Sequence, residues 1–297
     1  MKSEIFTQLG IFFLKMLAKF PFPIIYFLSD IFYFVIYYLI AYRKIVVTQN
    51  LKKAFPEKSD NEIAQIRKKF FRHLSDLFLE SIKMHGMNKN DYRKRMVVKN
   101  AGQVNKYFVD GKSVVVVTMH YNNWEWSSSL PLSVKQNMLA IYKPLHNKKF
   151  DAFINNSRLK MGADMTQNSL TLRRVLNAEK SGERILTWLA GDQTPPHTQK
   201  FWFTFLNQET LFYPGPAFIS KRFIHPVFFQ RTVKKARGMY ETHLELLIEN
   251  PEKLSEIEIT KKYIERMEDV IKEEPEYYLW SHRRWKHKRP GNIPLNN

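Results

Sequence analysis

The chain has no cysteine among its 297 residues. That absence excludes disulfides, thiolate metal ligands and a cysteine nucleophile in one stroke. Any mechanism that needs a thioester on the protein itself is excluded with them. Acidic residues are also scarce: 28 Asp and Glu face 47 Lys and Arg, a formal net charge of +19. Such an imbalance points to an anionic partner, whether nucleic acid, an acidic lipid surface or a negatively charged carrier. Glycine is sparse at 10 residues, and there is no repeat, low-complexity run or linker. What is abundant is aromatic: Phe, Tyr and Trp make up 14% of the chain.

Charge is nearly missing from one stretch. Between Phe20 and Tyr42 the only formal charge is Asp30, and Ile31–Tyr42 is continuously apolar and aromatic. A helix over this segment approaches the roughly 20 residues needed to cross a bilayer. Basic residues flank it on both sides, and no small-residue cleavage site follows. The sequence therefore predicts a hydrophobic helical anchor over residues 1–44, spanning or deeply inserted, ahead of one catalytic domain over 45–297. A buried hairpin broken at Pro21 and Pro23, or a helix lying flat in the interface, are the alternatives. Asp30 is the objection to a centred span. The strongly basic remainder favours a cytoplasmic bulk.

Downstream, Ser59-Asp60-Asn61-Glu62 forms a capping box, and Ile63, Ile66, Phe70, Leu74, Leu77 and Ile82 recur at helical spacing. Ser113–Met119 is short, β-branched and apolar, as expected of a strand buried on both faces. Met138–Tyr142, Ile185–Ala190 and Pro226–Gln230 are further strands. Lys149–Met161, Leu170–Lys180 and Thr260–Ile271 read as helices. This alternation predicts an α/β domain around a largely buried mixed sheet flanked by helices.

The strand at 114–119 runs into His120-Tyr-Asn-Asn-Trp-Glu125. A helix beginning near Asn122 or Asn123 would put Glu125 in its first turn, able to fold back toward the imidazole as a His–carboxylate dyad. The bare spacing is weak: 9 His and 28 acidic residues give about one His-x4-acid match by chance. There are two. His146-x4-Asp151 lies in a basic stretch with nothing apolar to position it, whereas His120 follows a buried strand. The other reading of His120 is a packed histidine beside a surface acid. His197, His225 and His282 are not spaced as metal ligands, and no metal site is expected.

His120-Tyr-Asn-Asn-Trp-Glu125 resembles the His-x4-acid block of glycerolipid acyltransferases, and in particular the H-x-x-N-W-E form of the late lipid A acyltransferases (the lauroyl/myristoyl transferase family). Further blocks follow in that family's order. They are Asn50-Leu51 with Phe55-Pro56; Tyr142-Lys143-Pro144 with Arg158 and Gly162; Gly191-Asp192-Gln193; Tyr213-Pro214-Gly215-Pro216-Ala217 with Pro226-Val227; and Trp280-Ser281-His282-Arg283-Arg284-Trp285. The resemblance covers about residues 45–287. Two departures stand out: Asn122 where the family usually has glycine, and Phe205-Leu206-Asn207 where it often has Phe-Phe-Gly. Asn tolerates a positive φ at either turn.

The resemblance implies a glycerolipid-acyltransferase-like fold at the cell inner membrane. It implies an acyl thioester donor, acyl carrier protein above all, as co-substrate with no cofactor, and a membrane lipid hydroxyl as acceptor. His120 would be the general base and Glu125 its orienting acid. Arg158 or a backbone amide near Asn123 would meet the oxyanion. Lys143, Arg158, Arg283 and Arg284 could bind phosphate, the closing basic stretch being otherwise a solvated tail drawn to lipid. Asp192 is expected to partner Arg158 or cap a helix. Two other functions stay open. One is transfer to an aminolipid or lysophospholipid. The other is a non-catalytic basic protein that binds membrane or nucleic acid, for which the aromatics cluster poorly, so nucleic acid is not expected as a partner.

Overall fold

The computed structural model describes residues 2–296. Two short helices open the chain, α1 (Lys2–Leu17) and α2 (Phe22–Phe34), the latter continued by a π-helical turn over Val35–Leu39. Then come α3 (Lys44–Ala54), α4 (Asp60–Lys83) and α5 (Lys89–Arg95). The α/β body follows as β1 (Met96–Lys99), α6 (Ala101–Val109), β2 (Val114–Thr118) and a 3-10 helix over Glu125–Leu132. It continues as β3 (Asn137–Tyr142), α7 (Lys148–Leu159), β4 (Asp164–Gln167), α8 (Thr171–Ser181) and β5 (Ile185–Ala190). A small hairpin, β6 (Trp202–Phe205) and β7 (Gln208–Leu211), precedes α9 (Gly215–Phe223). Last are β8 (Val227–Ala236), β9 (Met239–Ile248) and α10 (Glu256–Glu273).

Seven strands form one mixed sheet in the order β1-β9-β8-β2-β5-β3-β4, in which only β8 and β9 pair antiparallel. The mixed α/β class expected from the sequence is the class observed, and all four expected strands lie in this sheet. β2 is central and every residue in it is buried. Successive strand side chains point to opposite faces, so Val115 and Val117 enter the larger core, packed with Val175, Tyr263 and Met267 from the helices on that side. Val114 and Val116 enter a second core with Val104 and Tyr107 of α6. Both faces being covered is what a wholly apolar strand requires.

The helix starts are encoded locally. Ser59 accepts from the Glu62 amide at 3.3 Å while Glu62 accepts from the Ser59 amide at 2.9 Å, and Ser255 and Glu258 repeat the arrangement at the start of α10. In the β6–β7 hairpin, Leu206 and Asn207 have φ of 49° and 62°. Two successive left-handed residues are the requirement of a tight hairpin turn, and Asn207 meets it as its side chain allows.

The N-terminal helices pack onto the α/β body. α2 lies along α4 with Ile25 fully buried against Leu79 and Ile82, while Tyr33, Ile36 and Tyr37 enter the same core as β2. The contact is also polar: Ser29 Oγ donates to Asp76 at 2.8 Å, and Arg237, from the β8–β9 turn, bonds Asp30 at 2.7 Å and Asp76 at 2.6 Å. The single charge in the apolar segment is therefore paired to the protein body. Gly238 admits this approach, since a Cβ there would lie 1.7 Å from the Tyr26 hydroxyl. The helix spanning Phe22–Leu39 is long and apolar enough to cross a membrane, yet its inner face is occupied by protein. Its outer face exposes Ile24, Phe27, Ile31 and Phe34, and α1 exposes Phe6, Leu9, Phe12 and Phe13 beside it.

Candidate active site

Strand register places the first two groups. β2 and β5 are neighbouring parallel strands with Thr118 opposite Ala190. Two residues past each lie His120 and Asp192, so both emerge at the carboxyl ends of adjacent strands, where open α/β sheets place their ligand crevice. The Gly191 amide donates to the Thr118 carbonyl at 2.8 Å and continues the ladder to the edge of the site. Asp192, buried at 3% exposure, then receives two hydrogen bonds from one residue: the His120 amide at 3.1 Å and the His120 Nδ1–H at 2.7 Å.

The outer ring nitrogen faces differently. Gln193 Nε2 lies 2.9 Å from His120 Nε2. A side-chain amide nitrogen only donates, so Nε2 carries the lone pair and Nδ1 the proton. Burial alone would pull the His120 pKa down. The charge and hydrogen bond of Asp192 outweigh it, with a smaller push from Glu125, and the net shift is upward. Burial opposes ionisation of Asp192, but His120, its amide and Arg284 hold the carboxyl below its usual value.

Glu125 is the first residue of the 3-10 helix, and its partner is not the imidazole. Arg158 of α7 grips it with a fork, Nε to Oε2 at 3.0 Å and Nη2 to Oε1 at 2.8 Å. The Trp124 indole stands between the two groups, edge-on to the His120 ring at 5.0 Å and donating from Nε1 to Glu125 Oε1 at 3.2 Å. The expected pairing of carboxylates is thus exchanged: Asp192, assigned from sequence to Arg158 or a helix cap, orients the histidine, and Glu125 orients Arg158. The reason lies in the sheet. Residues at equal offsets past paired strands meet directly, whereas residue 125 is carried away by the turn at Asn122. That residue has a φ of 51°, the left-handed conformation for which glycine is the usual choice. Its Nδ2 donates to the Thr232 carbonyl at 2.7 Å, so asparagine both makes the turn and ties it to β8.

Four other expected binding residues are placed as follows. Asn123 is fully buried, with Nδ2 on Glu80 at 2.7 Å and Oδ1 accepting from the Trp126 amide at 3.0 Å, so both ends of its side chain are taken up in holding the loop. Arg284 is 3% exposed, its guanidinium 4.5 Å from the centre of the Phe212 ring, beside Tyr278 and Asp192. It is too enclosed to hold a lipid phosphate, and its charge instead supports Asp192. Arg283, its neighbour, is exposed in a groove shared with Arg43, Lys44, Lys53 and Lys286. Lys143 is exposed on the loop after β3. His146 precedes the Asn147 cap of α7, and Asp151 Oδ1 accepts from the Leu145 amide at 2.9 Å, so Asp151 serves a helix start.

The closing segment completes the site. The Leu279 amide donates to the His120 carbonyl at 3.0 Å and the Asn122 amide to Tyr277 at 3.0 Å. Asn50 Nδ2 in turn donates to the carbonyls of Trp280 and His282 at 2.8 and 2.9 Å. Blocks more than 200 residues apart in sequence thus converge on one histidine.

The family model described as bacterial lipid A biosynthesis acyltransferase matches residues 1–287. The chain belongs to that family. It is similar to the lipid A biosynthesis palmitoleoyltransferase of Escherichia coli (strain K12), 22% identical over 290 residues that cover 97% of this chain and 94% of that protein. It is equally similar to a lipid A biosynthesis acyltransferase of Shigella flexneri, with the same identity and coverage. The protein is therefore an acyltransferase of lipid A biosynthesis, with a lipid as acceptor. Family membership sets aside the non-catalytic reading of its basic surface.

Proposed function

We propose that this acyltransferase moves a fatty acyl chain from an acyl thioester, carried by acyl carrier protein, to a hydroxyl of a lipid A precursor, with His120 as general base. The observation that carries the reading is the asymmetry of the ring. Nδ1–H is fixed by a buried carboxylate, while Nε2 presents its lone pair toward a side chain, Gln193, that is itself exposed and easily displaced. An acceptor hydroxyl taking the place of Gln193 donates its proton to Nε2 as its oxygen attacks the thioester carbonyl. Asp192 stays ionised and stabilises the imidazolium. The oxyanion needs a donor. Arg158 has five N–H groups, of which four bonds to Glu125 and Asn155 use at most four, so at least one remains to meet it. Collapse expels the thiolate, which takes the proton from the imidazolium and leaves as a thiol. Ester, free carrier and neutral histidine result. With no cysteine in the chain, direct transfer between two bound substrates is the favoured order.

The enzyme is proposed to act at the cytoplasmic side of the inner membrane. The exposed apolar faces of α1 and α2 lie in the bilayer, and the polar contacts of Ser29 and Asp30 stay on the protein. Exposed Lys143 and Arg283 are placed to attract phosphate of lipid or carrier. The test is turnover of folded His120→Ala and Glu125→Ala enzymes with an acyl carrier protein thioester and a lipid A precursor. Loss of transfer with retained folding and vesicle binding is expected. Near-normal turnover by His120→Ala sinks the general-base role. Mass spectrometry of lipids from a deletion strain should show a lipid A species short of one ester-linked chain; loss from an aminolipid or phospholipid instead would reassign the acceptor.

A further inference from the structure

Among the buried acids unused by this chemistry, one touches the loop that follows His120. Glu80, near the end of α4, is fully buried, and its carboxylate is surrounded by three donors. Tyr26 of α2 donates to Oε1 at 2.9 Å, Tyr240 of β9 to Oε2 at 2.8 Å, and Asn123 Nδ2 to Oε2 at 2.7 Å. Its backbone carbonyl takes a fourth bond, from the Trp126 indole N–H at 3.3 Å. Asn123 and Trp126 are joined to each other through the Asn123 Oδ1 bond to the Trp126 amide. Glu80 therefore grips the loop on both sides of Trp124 and Glu125, the two residues that reach His120 and Arg158.

We infer that Glu80 is a positioning residue for the transfer reaction, setting the Glu125–Arg158 pair against His120 by holding Asn123. The inference rests on the reading of His120 and Glu125 as the reacting site. A carboxyl serving stability alone would be poorly chosen: burial and nearby Asp76 both push its pKa up, so its ionisation opposes folding. Two tyrosines from separate elements, Tyr26 of α2 and Tyr240 of β9, fix the carboxyl from outside the loop. The loop is thereby braced against α2 and β9 through one carboxyl. Misplacement of a reacting group by about 1 Å is enough to cost about a hundredfold in rate.

An exchange of donor and acceptor tests this in the full-length enzyme. Asn123→Asp sets carboxylate against carboxylate, and kcat is expected to fall about a hundredfold with KM for the thioester within about threefold of wild type. Glu80→Gln alone keeps an acceptor for Asn123 and is expected to stay within about threefold of wild type. Combining Glu80→Gln with Asn123→Asp restores the bond with its direction reversed and is expected to recover at least about tenfold over Asn123→Asp. A merely structural role gives a change in melting temperature but no such recovery in kcat per folded molecule. The inference is overturned if Asn123→Asp turns over as wild type does, or if the combination, folded, is no faster than Asn123→Asp. Should Asn123→Asp not fold, Asn123→Ala takes its place. It removes the partner and leaves both tyrosines on Glu80, so unchanged kcat there overturns the inference too. His120→Ala in the same assay separates the two ideas. If it is active, the general-base reading fails; if it is inactive while the Asn123 variants are normal, only the role of Glu80 fails.

Discussion

Replacing Asp192 with asparagine probes the site most directly, because the carboxylate does three things that an amide cannot do together. It accepts from the His120 amide and from the ring Nδ1–H, through separate oxygens at 3.1 and 2.7 Å, and it supplies the negative charge that offsets burial of the imidazole. An asparagine has one oxygen, so one of those two N–H groups must face an NH2. A hydrogen bond to a charged group contributes up to about 3 kcal/mol, roughly a hundredfold in rate. If the NH2 faces the ring, the imidazole is forced into the other tautomer with its lone pair turned inward. The equivalent substitution in serine proteases costs about ten-thousandfold for that reason. Asp192→Asn is therefore expected to lower kcat by about a hundred- to ten-thousandfold. The pH dependence gives a second reading. In the wild type, the rate should rise as the pH passes a His120 pKa raised above the ordinary imidazole value. Without the carboxylate, burial is left to dominate, and whatever activity remains should show that limb moved to lower pH. The assay is transfer of labelled acyl chain to lipid in mixed micelles across pH 5–9, with folding followed by circular dichroism. A folded Asp192→Asn enzyme within threefold of wild type, or a limb shifted to higher pH, would refute the assignment of the ring's partner.

Arg158→Ala should leave Glu125 as a mostly buried carboxylate with no cationic partner and lower kcat about a hundredfold; Arg158→Lys, which keeps charge but not the fork, should recover only part of it in the same assay. At Asn122, alanine should destabilise more than glycine by about 1 kcal/mol in urea unfolding, since both lose the bond to Thr232 but only alanine is strained at a φ of 51°. Phe12→Ser with Phe27→Ser, both on exposed faces of the N-terminal helices, should weaken binding to phospholipid vesicles in flotation by about tenfold or more without changing the melting temperature. Unchanged flotation would count against these faces as the membrane contact.

Much of the architecture was legible because its signals are local. The apolar run at 114–119 has the composition of a strand buried on both faces, and Ser59–Glu62 carries its own helix start. His120 was found the same way, by its place at the end of a buried strand. The partner of the ring was not, although Asp192 ends a strand at the same offset. Sequence order does not say that the second and fifth strands are neighbours, and without adjacency the nearer acid, Glu125, is the natural choice. Arg284 was misread for a related reason. A basic run reads as one surface, but its successive residues separate into exposed Arg283 and buried Arg284, whose charge acts on Asp192. Glu80 gave no signal at all, being one acid on an amphipathic helix until Tyr26, Tyr240 and Asn123 close around it.

The bonds from Tyr277 and Leu279 to the loop at His120 have a consequence for how the enzyme comes into being. A nascent chain that has already formed its N-terminal helices still lacks the strap that fixes its histidine. Competence arrives only when the segment from Tyr277 to His282 has been made and laid beside the carboxyl end of β2. Products truncated before Tyr277 would be inert, unable to acylate any lipid.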